Sequence, residues 1–239
     1  MILAGGHSRR MGTDKALLRL SNAQTLLAHT AQIAQALTSE VVIVTPWPER
    51  YAAALPQAVR WVQEAAHPYG PLGGFAQGWD AIQTEWCLVL ACDLPQLAYA
   101  PLREWWVWLQ REASVKGAIA SLTYRKQTHR RQPVELNLIE FDKIQFDKTE
   151  FDKTEHEKNE TPKIWEPLCG FYHRDCLRSL RDRLASYEKS QNSVLDTERS
   201  RRLSFQSWLK PLPILAYDQL PQAILFNCNT AADWAQIQS

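Results

Sequence analysis

The residue types best suited to chemistry open the chain: Leu3-Ala4-Gly5-Gly6-His7-Ser8-Arg9-Arg10-Met11-Gly12-Thr13-Asp14-Lys15-Ala16-Leu17-Leu18. A glycine pair directly after a strand lets the main chain approach a ligand closely and turn N–H groups toward phosphate oxygens. Arg10 and Lys15 add fixed positive charge in the same place, whereas Arg9 is expected to face solvent. The stretch matches neither G-x-x-x-x-G-K-[ST] nor G-x-G-x-x-G, so P-loop NTPase and dinucleotide-binding functions lose their main support. By itself it is equally compatible with a tight strand-to-helix turn carrying exposed basic residues. Asp93, in Cys92-Asp93-Leu94-Pro95, is the second candidate. A carboxylate just past an apolar strand can hold Mg²⁺ on nucleotide phosphates, or it can cap the next helix.

The elements that must position these groups follow from the apolar pattern. Val41–Val44, Trp86–Ala91 and Gly117–Ser121 are short apolar runs of the kind buried in a parallel sheet. Helical patterns over Leu26–Leu37, Gly73–Thr84 and Pro101–Ala113 separate them. Strands alternating with crossover helices predict a doubly wound α/β domain with ligands at the carboxyl ends of the strands. Only Met1-Ile2-Leu3 precede the glycine pair, against about five residues in a usual strand. Either the first strand is short or the reading frame begins upstream.

Composition narrows the class. In 239 residues, 27 Lys+Arg stand against 26 Asp+Glu, so the basic excess of a nucleic-acid-binding domain is missing. No stretch nears the ~20 apolar residues of a membrane span, which predicts a chain without membrane or nucleic-acid partners. The five cysteines (Cys87, Cys92, Cys169, Cys176, Cys228) form no C-x-x-C pair and are read as buried thiols in a reducing cytoplasm. His7 and His29 lack paired ligand spacing and are read as structural. Trp105, Trp106 and Trp108 crowd one helix and cannot all face inward.

One segment does not belong to a packed fold. Glu140-Phe-Asp-Lys-Ile, Gln145-Phe-Asp-Lys-Thr, Glu150-Phe-Asp-Lys-Thr and Glu155-His-Glu-Lys-Asn repeat every five residues, a period of neither helix nor strand. Residues 140–160 hold eight acids and four lysines, a net of −4 that leaves +5 elsewhere in a chain of net +1. This is read as an acidic, low-complexity, disordered insertion in a single domain spanning 1–239. The remaining basic excess would suit an anionic substrate.

The whole pattern L-A-G-G-x-S-x-R-M-G-x-D-K-A-L-L resembles the signature loop of the molybdenum cofactor guanylyltransferase family. Further likenesses follow in order: Tyr69-Gly-Pro-Leu-Gly-Gly74 to its G-P-L-x-G turn, Cys92-Asp93-Leu94-Pro95 to its C-D-x-P, Glu166-Pro-Leu-Cys-Gly-Phe-Tyr172 to its P-L-x-x-L-Y, and Phe226-Asn-Cys-Asn-Thr230 to its N-x-N-T. The resemblance implies a Rossmann-like, three-layer α/β/α nucleotidyltransferase fold on a mainly parallel twisted sheet. It implies transfer of GMP from GTP to the phosphate of molybdopterin, with Mg²⁺ as cofactor and pyrophosphate as product. Proteins that insert or chaperone the finished cofactor would be partners.

Residue by residue, the likeness implies catalytic roles for Lys15, Arg10 and Asp93, with Asp93 as metal ligand. GTP would be bound by Leu3, Ala4, Gly5, Gly6, Lys15, Thr45, Glu64 and Asp93. The family's Asn after the second strand is replaced here by Val44 or Thr45, and its acidic residue before G-P-L-x-G falls on Gln63 or Glu64. Glu64 is preferred, because a carboxylate can accept from both guanine N1–H and the amino group. Gln132, Asn227 and Asn229 are assigned to the molybdopterin side, although N-x-N-T could equally be an Asx turn capping a helix over Ala231–Ile237. The alternatives are a molybdopterin cytidylyltransferase, a sugar- or polyol-phosphate nucleotidyltransferase, and a nucleotide-binding scaffold without turnover. Cytidylyl relatives usually carry L-A-A-G, so Gly5 favours guanine.

Overall fold

The computed structural model describes residues 1–6, 12–55, 59–65, 69–124, 164–189 and 203–238. The strands β1 (Ile2–Leu3), β2 (Val42–Thr45), β3 (Arg60–Gln63), β4 (Trp86–Ala91), β5 (Ala120–Tyr124), β6 (Trp165–His173) and β7 (Ile214–Ala216) form one sheet in the order β3-β2-β1-β4-β6-β5-β7. β6 runs antiparallel to both neighbours, and every other pairing is parallel. The mainly parallel, doubly wound arrangement agrees with the sequence pattern; the reversed strand does not follow from it.

Alternation of side chains splits the core in two. Ile43, Leu90 and Phe171 point to one face, packing with α1 (Leu26–Leu37) and α4 (Tyr99–Lys116). Val42, Val44, Val89 and Tyr172 point to the other, against α3 (Gly70–Trp79), α5 (Cys176–Lys189) and α6 (Phe205–Leu209). Both faces are therefore covered, which is why the strands read as continuous apolar runs. Even the two-residue β1 is held centrally, with Ile2 facing Ile43 and Leu90 across the sheet. Among the described residues no helix is long and apolar enough to cross a membrane.

Several boundaries move for local reasons. α1 matches its expected span, with the Thr25 side chain accepting the Ala28 N–H as N-cap. α3 starts at Gly70 rather than Gly73, because Pro71 suits the first helical turn. Gly117, at φ 61°, terminates α4 in the left-handed conformation instead of opening a strand, so β5 begins at Ala120. Trp105 is fully buried and donates its indole N–H to Ser121 Oγ, while Trp106 and Trp108 are half-buried, as their crowding requires. The acidic repeat lies outside the described residues.

Candidate active site

The carboxyl ends of β1, β2, β3 and β4 open onto a cleft of about 890 Å³. Leu3, Ala4, Gly5 and Gly6 line it from β1, Glu64 from the end of β3, and Cys92 and Asp93 from the end of β4. Across it stand Glu166 to Cys169 at the start of β6, together with Asn227.

Lys15 reaches this cleft from a 3-10 turn, Lys15–Leu17, whose N-cap is Asp14: the Asp14 side chain accepts the Ala16 N–H at 3.1 Å. The Lys15 ammonium donates to Asp93 Oδ2 at 3.3 Å and to Asn229 Oδ1 at 2.7 Å. Both Lys15 and Asp93 side chains are largely shielded, at 16% and 18% exposure, so their attraction is less screened than that of a surface pair. The C-terminal segment is anchored to the same point, since Cys228 N–H donates to the Asp93 carbonyl at 3.0 Å. The structure thus brings together Lys15, Asp93 and Asn229, which lie far apart in sequence. Arg10 and Gln132 lie outside the described residues.

The helix α7 (Ala231–Gln238) is capped by Thr230, not Asn229. Thr230 Oγ1 accepts the Asp233 N–H, while Asp233 Oδ2 accepts the N–H groups of Asn229 and Thr230. This is a capping box, and Thr230-x-x-Asp233 was its available sequence signal. Asn229 keeps its side chain for Lys15. Asn227 lines the cleft with its Oδ1 buried and without a hydrogen-bond partner among the described residues.

At the base end, the Glu64 N–H donates to the Thr45 carbonyl at 2.8 Å, continuing the β2–β3 ladder beyond Gln63. The Glu64 carboxylate is threaded between two glycines. A Cβ on Gly5 would collide with it, and one on Gly74 would come within 2.8 Å of Oε1. Those two missing Cβ atoms are what give the carboxylate its place. Thr45 stands differently from its expected role. It is fully buried, its hydroxyl donating to the Ala4 carbonyl at 2.9 Å and accepting the Trp47 N–H at 3.3 Å, and it does not line the cleft. A hydroxyl so engaged shapes the turn of the glycine loop and leaves Pro46 and Trp47 as the cleft wall after β2.

Sequence reasoning overlooked Asp14, Trp47 and Glu166, all of which line the cleft. Cys92 also lines it and is half-buried rather than buried. Burial, with Asp93 and Asp14 nearby, pushes the Cys92 thiol up to about 12, and burial, with Glu166 nearby, does the same for Cys169. Both stay protonated near neutrality, so neither is poised as a thiolate nucleophile. His29 is half-buried and bonds the Leu97 carbonyl, consistent with a structural role.

The electrostatics of the cleft constrain its ligand. Its described lining contains Asp14, Glu64, Asp93 and Glu166 against the one ammonium of Lys15. Asp14 is already held by Arg50 and Tyr51, which leaves Asp93 as the carboxylate facing Lys15 across the cleft. The donors available, the Asp93 carboxylate and the orphaned amide oxygen of Asn227, are hard oxygen ligands of the kind Mg²⁺ takes.

Residues 1–203 match the family model described as a MobA-like NTP transferase domain. A protein of Nostoc sp. named "Probable molybdenum cofactor guanylyltransferase" is 36% identical over 238 residues, covering all of this chain and 89% of the relative. One of the same name from Synechococcus elongatus is 35% identical over 240 residues, covering all of this chain and 96% of its own. Among solved structures, molybdopterin-guanine dinucleotide biosynthesis protein A from Archaeoglobus fulgidus superposes with a TM-score of 0.61 at 16% identity, over 99% of this chain and 95% of that one. The 2-C-methyl-D-erythritol 4-phosphate cytidylyltransferase of Thermus thermophilus does so with a TM-score of 0.54 at 16% identity, over 99% and 96%. At those identities the structures establish the fold, and the sequence matches establish the family: this chain belongs to the MobA-like NTP transferases.

Proposed function

We propose that this chain transfers GMP from Mg²⁺-GTP to the terminal phosphate of molybdopterin. A phosphate oxygen of the acceptor attacks the α-phosphorus in line, the bond from the α-phosphorus to the bridging oxygen breaks, and pyrophosphate leaves with the electron pair. The nucleophile is already anionic, so the protein need not remove a proton. Its work is positioning and charge compensation.

The observation that carries this reading is the Lys15–Asp93 pair at the carboxyl edge of β1 and β4, with Glu64 held between Gly5 and Gly74 on the same cleft. Lys15 compensates charge on the triphosphate, and Gly5 and Gly6 let the backbone approach it. Asp93 and the Asn227 oxygen, which line the same cleft, would hold Mg²⁺, and the ion would supply charge compensation for the phosphates. Glu64 accepts from guanine N1–H and the amino group. Asn229, and Gln132 and Arg10 by family likeness, complete the acceptor and phosphate contacts. The product would pass in the cytoplasm to proteins that insert the cofactor.

The test is pyrophosphate release from the purified full chain with Mg²⁺ and molybdopterin, comparing GTP, CTP and ATP. GTP-selective release supports the proposal. CTP selectivity moves the protein to the cytidylyl reaction, and silence with all three leaves a nucleotide-binding scaffold.

A further inference from the structure

Asp14 is tied down at both carboxylate oxygens. Besides the cap on Ala16, its Oδ2 accepts the Tyr51 hydroxyl at 2.7 Å and the Arg50 guanidinium at 3.2 Å. The Arg50 guanidinium in turn lies 4.5 Å from the centroid of the Trp47 ring. Trp47 N–H returns to Thr45 Oγ1, which donates to the Ala4 carbonyl. The turn carrying Lys15 is thereby locked, through α2 (Pro48–Tyr51), to the same glycine loop that the nucleotide must approach.

Two consequences bear on Lys15. Its contacts to Asp93 and Asn229 involve groups that the proposed reaction needs for metal and acceptor. As those groups are taken up, the position of the ammonium rests increasingly on its backbone, which Asp14 caps. Asp14 is also the nearest carboxylate to Lys15 along the chain. Its Oδ1 and Oδ2 are engaged by Ala16, Tyr51 and Arg50, partners that compete with the ammonium for the carboxylate. Burial, and then the bond to Asp14, raises the Tyr51 hydroxyl far above its ordinary range, so it remains a donor at any physiological pH.

We infer that Tyr51 and Arg50, acting through Asp14, are positioning residues that aim Lys15 at the triphosphate. The inference rests on the proposed nucleotidyl transfer. It concerns residues for which the motif likeness assigns no role.

Tyr51→Phe removes one hydroxyl and keeps a buried ring; Arg50→Gln alters a side chain that is 46% exposed, where folding is not at stake. For each, kcat for pyrophosphate release is expected to fall about tenfold and the calorimetric Kd for Mg²⁺-GTP to rise about threefold, the scale of losing one charge-assisted hydrogen bond. The decisive readout is coupling. In a Lys15→Ala background either substitution should add less than about a twofold further loss, because the residue it aims is gone. Wild-type kcat in both variants, or an undiminished loss on top of Lys15→Ala, overturns the inference. If the wild type binds Mg²⁺-GTP without releasing pyrophosphate, the reaction proposal fails while the same coupling is read from Kd alone; if it binds no Mg²⁺-GTP, both fail.

Discussion

The sheet carries a cavity at each end, and the two differ in kind. At the amino ends of the strands a space of about 520 Å³ is lined largely by apolar side chains, Leu37, Val41, Ile82, Trp86, Trp106 and Phe171 among them. Two of the polar groups there are engaged with structural partners: Glu40 pairs with Arg60 at 3.4 Å, and Thr84 Oγ1 donates to the Trp86 carbonyl. At the carboxyl ends, Lys15, Asp93 and Asn229 meet within hydrogen-bond distance, and the Asn227 oxygen is buried without a partner among the described residues. Shape alone would make sites of both. Convergent polar chemistry at the carboxyl edge, where loops after parallel strands gather, marks one of them as the candidate reaction site.

The largest effect should come from Asp93→Ala. The side chain would hold the proposed metal, whereas the structural bond from Cys228 N–H goes to the Asp93 carbonyl and survives the substitution. Pyrophosphate release should fall by about a thousandfold or more with the melting temperature preserved. A rate within tenfold of wild type would remove the metal assignment and blur the contrast between the cavities.

Next come the groups that read the base. Glu64→Gln replaces a two-acceptor carboxylate by an amide with one acceptor, and kcat/KM for GTP should fall about thirtyfold, with less change for CTP. Gly5→Ala should reproduce part of this loss, about fivefold, although Glu64 is intact, because the new Cβ claims the space of its carboxylate. The obstructed group is the far end of a flexible side chain, so the carboxylate is expected to swing away and the fold to hold. An unaltered ratio of GTP to CTP activity in both variants would show that Glu64 does not face the base.

The legibility of these residues in the sequence follows a physical rule. Asp93 is legible as a candidate because it follows the apolar run Trp86–Ala91, whereas Lys15 and Glu64 stand out by their places in the signature loop and before G-P-L-x-G. Thr45, expected among the GTP contacts, is instead buried away from the cleft lining. In a sheet covered on both faces, side-chain alternation does not distinguish a group facing ligand from one facing core, and its hydroxyl turned out to serve Ala4. The link from Asp14 to Arg50 and Tyr51 spans 36 and 37 residues, and no local pattern encodes such a meeting. Nor does a sequence state the direction of a strand: only the pairing of β6, Leu90 with Cys169 and Leu122 with Gly170, reveals that it runs backward. The expected acidic insertion falls on residues 140–160, outside those described.

The smallest expected effect on activity probes the other end of the sheet. Ile82 lines the apolar cavity and is 8% exposed, packing among the side chains of the α3 face of the sheet. Ile82→Val deletes one buried methylene and should cost about 1 kcal/mol of stability, read as a lowered melting temperature. Because the described linings of the two cavities share no residue, kcat and KM for GTP should stay within about twofold of wild type, additivity being the rule for distant sites. Should KM for GTP or the acceptor move with the melting temperature, the amino-end cavity would be coupled to the reaction site through β4, which carries Trp86 at one end and leads to Asp93 at the other.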